Sequence, residues 1–94
     1  MKIRWFRRAL NQLGAAEDYV AEDNPDAARE LVARIERAVA RLADYPELGR
    51  TGRVEGTREL VVSRTPYIVA YRVRDDEVIV LAVQHAARQW PARF

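Results

Sequence analysis

The sequence predicts an α+β domain: a helical hairpin packed on a small antiparallel sheet, in the order β-α-α-β-β-β. Three observations carry the prediction. Tyr67–Arg74 and Glu77–His85 are runs rich in β-branched and aromatic residues, separated only by Asp75-Asp76, the pattern of an antiparallel hairpin. Upstream, apolar residues recur at Phe6, Ala9, Leu10, Leu13, Ala16 and Val20, then at Ala28, Leu31, Val32, Ile35, Ala38, Val39 and Leu42. Both sets form a stripe at helical spacing. The connection between the stripes is very short, so the two helices must double back on each other.

In chain order, Lys2 to Trp5 alternates polar and apolar with Ile3 and Trp5 on one face, a short first strand. The first helix runs from about Arg7 to about Glu22. No Ser, Thr, Asp or Asn stands at its start, so it lacks an N-cap. Gly14 inside it costs about 1 kcal/mol relative to Ala and is read as a point of close packing. Asn24-Pro25-Asp26 then starts a second helix: Asn24 caps it, Pro25 suits the first helical position, and Asp26 complements the positive end of the dipole. Glu30 and Arg34 lie one turn apart on its outer face as a favourable pair. The helix ends before Tyr45-Pro46.

Pro46 to Gly56 holds a proline and three glycines and reads as the one long loop. It feeds a strand over Thr57–Ser63, a turn at Arg64-Thr65-Pro66, and the hairpin. The second hairpin strand is apolar without a break from Val78 to Val83, which predicts cover on both faces. Pro66 and Pro91 punctuate the hairpin at its two ends.

The 94 residues are the size of one domain, read as spanning 1–94, and 49% of them are hydrophobic, enough for a single core. Cysteine is absent, which excludes disulfides and thiolate metal sites and fits a reducing cytoplasm. The basic N-terminus is followed by no apolar stretch, so no secretory signal is expected. No apolar run approaches the ~20 residues that cross a bilayer, so no membrane partner is expected. The formal charge of +2 is unevenly spread: +4 over residues 1–13, −5 over 15–30 and +3 over 46–74. Of 16 basic residues only Lys2 is a lysine. Arginine favours bidentate contact with phosphate or carboxylate, which fits a nucleic-acid or acidic-protein partner; a GC-rich genome gives the same bias.

The element order, Pro46-Glu47-Leu48-Gly49-Arg50, Gly56-Thr57-Arg58-Glu59-Leu60, the strand bearing Tyr67 and Tyr71-Arg72-Val73, and Val83-Gln84-His85 with Arg88 and Trp90-Pro91 together resemble the ParE/RelE superfamily. These are toxins of bacterial type II toxin–antitoxin modules, and the resemblance covers essentially the whole chain. It implies a cognate antitoxin whose C-terminal segment wraps the toxin and whose N-terminal part binds operator DNA, so that operator DNA is reached only through the antitoxin. It also implies one of two targets. ParE-like members poison DNA gyrase; RelE-like members cleave mRNA on the ribosome.

The residues bear on which branch applies. RNA cleavage through the 2′-OH needs a proton acceptor, a proton donor and cations for the phosphate. Arg53, Arg58, Arg64 and Arg72 supply cations, but arginine is a poor base at a pKa above ~12. No lysine stands in the loop or in the strands after it, no tyrosine follows Tyr71, and His85 is the one histidine. A ribonuclease would draw on Arg53, Arg58, Arg72, His85 and Arg88. The ParE-like reading is preferred, with Arg53, Arg58, Arg64, Arg72, Arg88 and Trp90 as target-binding candidates and no catalytic residue. Trp5, Leu10, Leu13 and Tyr71 are the antitoxin-binding candidates. Structural readings stand beside these: His85 ending a buried strand, Arg58 and Arg72 paired with Glu59 or Glu77, Trp90-Pro91 capping the sheet, Tyr71 in the core. Glu17, Asp18, Glu22 and Asp23 read as a solvated helix end, and no metal or cofactor is expected.

Overall fold

The computed structural model describes residues 1–94. Strand β1 (Lys2–Trp5) leads to helices α1 (Arg7–Ala21) and α2 (Pro25–Arg41), then strands β2 (Arg50–Thr51), β3 (Arg58–Val61), β4 (Tyr67–Arg74) and β5 (Glu77–His85). The two helices lie on one face of a single sheet ordered β1-β5-β4-β3-β2. No helix is long and apolar enough to cross a membrane.

Helix α2 starts as its sequence dictates: the Asn24 side chain accepts from the Ala27 amide at 3.1 Å and Pro25 takes the first position. Helix α1 has no side-chain cap at Phe6. The Phe6 amide instead donates to the Val80 carbonyl at 2.9 Å, so pairing with the sheet anchors the helix start. Ala9, Leu13 and Ala16 of α1 meet Leu31, Ile35 and Val39 of α2 over Val69, Val80 and Val83 of the sheet and Val62 just past β3. Each fully buried aliphatic side chain there contributes roughly 1.5–3 kcal/mol. Gly14 does not mark close packing, because a Cβ built there meets nothing within 4 Å.

The sheet is mixed, where a purely antiparallel one was expected. β1 runs parallel to β5, with Ile3 opposite Val78 and Trp5 opposite Val80. A parallel neighbour needs a long crossover, and most of the chain lies between these two strands. A four-residue strand carries no mark of its direction. The expected loop also holds the two-residue β2, and the Thr57–Ser63 run pairs as strand only over Arg58–Val61.

Both faces of β5 are covered, as its unbroken apolar run predicts: Val78 through Gln84 are buried. Its register jumps between Ala70 opposite Ala82 and Tyr71 opposite Val80, which leaves Leu81 as an extra, unpaired residue. Above Trp5 the outer edge of β5 has no strand beside it. Gln12 of α1 closes that edge, accepting from the Val83 amide and donating to the Gln84 side chain, each at 2.8 Å.

Candidate functional site

Strand alternation puts Glu59, Ala70, Arg72 and Ile79 on the face away from the helices. Glu59 is only 2% exposed. Its carboxylate accepts from the Arg53 amide at 2.8 Å, Arg53 Nε at 3.0 Å and Nη2 at 3.2 Å, and Arg50 Nη2 at 3.1 Å. Burial pushes the Glu59 pKa up, but the Arg53 side chain and amide and the Arg50 guanidinium outweigh it, leaving the pKa below the ordinary glutamate value. The Arg53 guanidinium carbon lies 4.0 Å from the centre of the Trp90 ring, a cation–π contact. Phe94 meets Trp90 edge to face at 6.3 Å and lies 5.5 Å from Arg8. Residues 90–94 therefore run from the β2–β3 loop towards the start of α1. The Trp90 indole N–H is enclosed without an acceptor.

On the helix side, Tyr71 is fully buried and clamps the loop before β2. Its hydroxyl accepts from the Gly49 amide at 2.8 Å and donates to the Pro46 carbonyl at 2.6 Å. Burial raises the Tyr71 pKa, so the hydroxyl keeps the proton it donates. Gly49 has no room for a side chain, since a Cβ would fall 2.7 Å from the Tyr71 ring and hydroxyl. Arg58 adds a third tie to the loop, donating to the Gly49 carbonyl at 2.7 Å. Of the two readings of Tyr71 the core is correct, and it offers no surface to an antitoxin. Leu13 is likewise buried in the core. Trp5 is half-buried, while Leu10 at 51% and its neighbour Phe6 at 42% are exposed.

Arg58 and Arg72 do not pair with Glu59 or Glu77. Glu59 is held by Arg50 and Arg53, and Glu77 lies 3.8 Å from Arg4. Arg72 donates instead to the Gly56 carbonyl at 3.3 Å. Arg64, at φ 65°, and Arg88 are exposed and enter no ion pair.

His85 sits elsewhere. Its Nδ1 accepts from the Ala87 amide at 3.1 Å, and its ring meets Tyr67 edge to face at 5.3 Å. Both residues line a cleft of about 480 Å³ with Gln12, Tyr19, Gln84 and Arg88. Burial raises the Tyr67 pKa against the opposing pull of Arg88. Arg72 is opposite Ile79, and Arg58 is opposite Tyr71, which faces Val80. At ~3.3 Å per residue, His85 lies about 16–20 Å along β5 from those rows. Arg53 is on the opposite face. The five residues suggested for RNA cleavage thus divide: His85 and Arg88 share the cleft, and Arg53, Arg58 and Arg72 lie apart from it. No three His, Asp or Glu side chains gather as a metal would require.

Two contributors escaped the sequence reading. Arg50 and Gln12 bind partners 9 and 71–72 residues away, separations at which no local pattern is visible. The alternation of β3, which sets Glu59 beside apolar Ala70, was the available signal for a buried acid needing cations.

Comparison with known proteins gives a consistent result. Residues 3–90 match a family model described as the ParE toxin of the type II toxin–antitoxin system, parDE. The chain is 51% identical over 90 residues to toxin Y4kP of Sinorhizobium fredii, covering 96% of this chain and 93% of that protein. It is 40% identical over 87 residues to toxin RelE2 of Caulobacter vibrioides, covering 93% and 97%. A solved structure from a chromosomal ParDE toxin–antitoxin system of P. aeruginosa superposes with a TM-score of 0.81 at 31% identity, covering 90% of this chain and 95% of that one.

Proposed function

We propose that this chain, which belongs to the ParE toxin family of type II toxin–antitoxin systems, arrests growth in the cytoplasm by binding DNA gyrase and stabilising its complex with cleaved DNA. The family is one half of a two-component system, so a cognate antitoxin is the neutralising partner. The gyrase assignment rests on one observation: no histidine or lysine stands among the sheet and loop arginines, and the buried carboxylate there, Glu59, is taken up by Arg50 and Arg53. Arg53 is neutralised by Glu59, Arg58 and Arg72 hold backbone carbonyls, and His85 is about 16–20 Å along β5 from the Arg58 and Arg72 rows. A general base works only within hydrogen-bond reach of its proton. Binding does not need that convergence. The contact surface in this reading is the sheet face away from the helices, with Arg72 and the Arg53–Trp90 stack at its centre.

A second reading, ribosome-dependent mRNA cleavage, is favoured by the grouping of Tyr67, His85 and Arg88 in one cleft. Growth arrest on induction separates the two. Under the gyrase reading His85→Ala stays fully toxic, whereas Arg72→Ala and Trp90→Ala lose toxicity while keeping a folded circular dichroism spectrum. Loss of toxicity in folded His85→Ala, with both other variants unaffected, overturns it.

A further inference from the structure

Helix α1 and the end of β5 face each other across the cleft that holds Tyr67 and His85. The hydrogen bonds around it fix which atoms are left free. The Val83 amide can only donate, so Gln12 turns its Oε1 to it and offers its Nε2 to the Gln84 Oε1. The Gln84 side-chain nitrogen is left with no partner in the fold. Gln84 is only 8% exposed and lines the cleft, and this nitrogen is not sealed in as the Trp90 N–H is. His85 is fixed in the same way. Its Nδ1 accepts from the Ala87 amide, so in the neutral ring the proton sits on Nε2 as a free donor. Arg88 lies near enough to Tyr67 to act on its hydroxyl, and no Asp or Glu lines the cleft.

The acceptors of this cleft are spent within the fold and its donors are left over. Arg88, the Gln84 nitrogen, the His85 Nε2–H and the Tyr67 hydroxyl together offer charge and hydrogen bonds to an anion, and a guanidinium matches the paired oxygens of a phosphate. Two aromatic rings stand beside them, Tyr67 and Tyr19, and Tyr19 is 74% exposed. A base laid on such rings stacks by its π-face. The cleft, at about 480 Å³, is far larger than a bare phosphate needs and falls in the range of ~300–1,000 Å³ usual for small-molecule sites. We propose that it binds a nucleoside monophosphate, the phosphate held by Arg88, Gln84 and His85 and the base laid against Tyr19 and Tyr67. The inference goes beyond the gyrase reading and does not depend on it. With Nδ1 spent on Ala87, His85 has no nitrogen free to take a proton, which suits holding an anion rather than activating a hydroxyl.

The test titrates the intact, antitoxin-free chain with AMP and with GMP in a calorimeter. Inorganic phosphate, adenosine and a 5′-phosphorylated trinucleotide serve as comparisons. Either monophosphate is expected to bind at least about tenfold more tightly than phosphate or adenosine, and no more weakly than the trinucleotide. Tyr19→Ala and Arg88→Ala remove the stacking ring and the cation separately, both at exposed side chains. Each is expected to weaken AMP binding at least about tenfold with an unchanged circular dichroism spectrum. Arg74→Ala, an exposed arginine at the far end of the hairpin, is expected to leave it within about twofold. Phosphate binding as tightly as AMP overturns base recognition, and adenosine doing so overturns the anion site. A trinucleotide that binds at least about tenfold more tightly than AMP overturns the small-molecule site in favour of a nucleic-acid strand. Absence of binding, or equal loss in Arg74→Ala, overturns the proposal outright. None of these results touches the gyrase reading, which the supercoiling reaction tests on its own.

Discussion

Glu59 is the one charged residue sunk into this protein, and its environment fixes how it behaves with pH. Its pKa is held below the ordinary glutamate value in the folded state. A depressed carboxylate contributes stability that is fully present above its unfolded pKa, near 4.3, and is lost as pH falls through the folded value. Denaturant midpoints are therefore expected to hold from pH 7 to about 5 and to fall steeply below pH 4.3. Glu59→Gln should flatten that acid limb and, at pH 7, cost about 1–3 kcal/mol for the charge-assisted bonds it loses. An acid limb as steep as in the wild type would assign acid sensitivity to other carboxylates. Tyr71 is tested by removal of one atom. Tyr71→Phe strands the Gly49 amide and the Pro46 carbonyl, which should cost about 1–3 kcal/mol and loosen the loop to proteolysis. The partners of Arg58 and Arg72 were not legible in the sequence for a chemical reason. Both donate to backbone carbonyls, and a carbonyl acceptor leaves no residue type to read.

At the scale of elements, legibility followed the range of the forces. The second helix was readable because its cap, first-turn proline and apolar stripe are all local, and it forms over Pro25–Arg41. The hairpin was readable from two β-rich runs and an acidic turn, with Asp75 taking the positive φ of 54° that such a turn needs. The direction of β1, the two-residue β2 and the bulge at Leu81 were not, because each is decided by a distant neighbour. Gly14 is a correction of the same kind: only the three-dimensional surroundings reveal the empty space beside it. Gly14→Ala should stabilise the protein by about 0.5–1 kcal/mol, through higher helix propensity and a less flexible unfolded chain. A thermal midpoint that falls would indicate a contact at that position absent from the free chain.

For the whole molecule, the helical and sheet faces divide the work. The helix side holds the core and the Tyr71 clamp, while the opposite face carries the Glu59–Arg53–Trp90 stack and Arg72. In the gyrase reading it is the second of these faces that meets the target. The direct measurement is made on antitoxin-free protein in two parallel reactions: gyrase supercoiling with a readout of cleaved DNA, and mRNA integrity on translating ribosomes. The expected result is gyrase-dependent cleaved DNA with intact mRNA. Codon-positioned mRNA cuts with unimpaired gyrase would contradict the account and make the Tyr67, His85 and Arg88 cleft the catalytic centre.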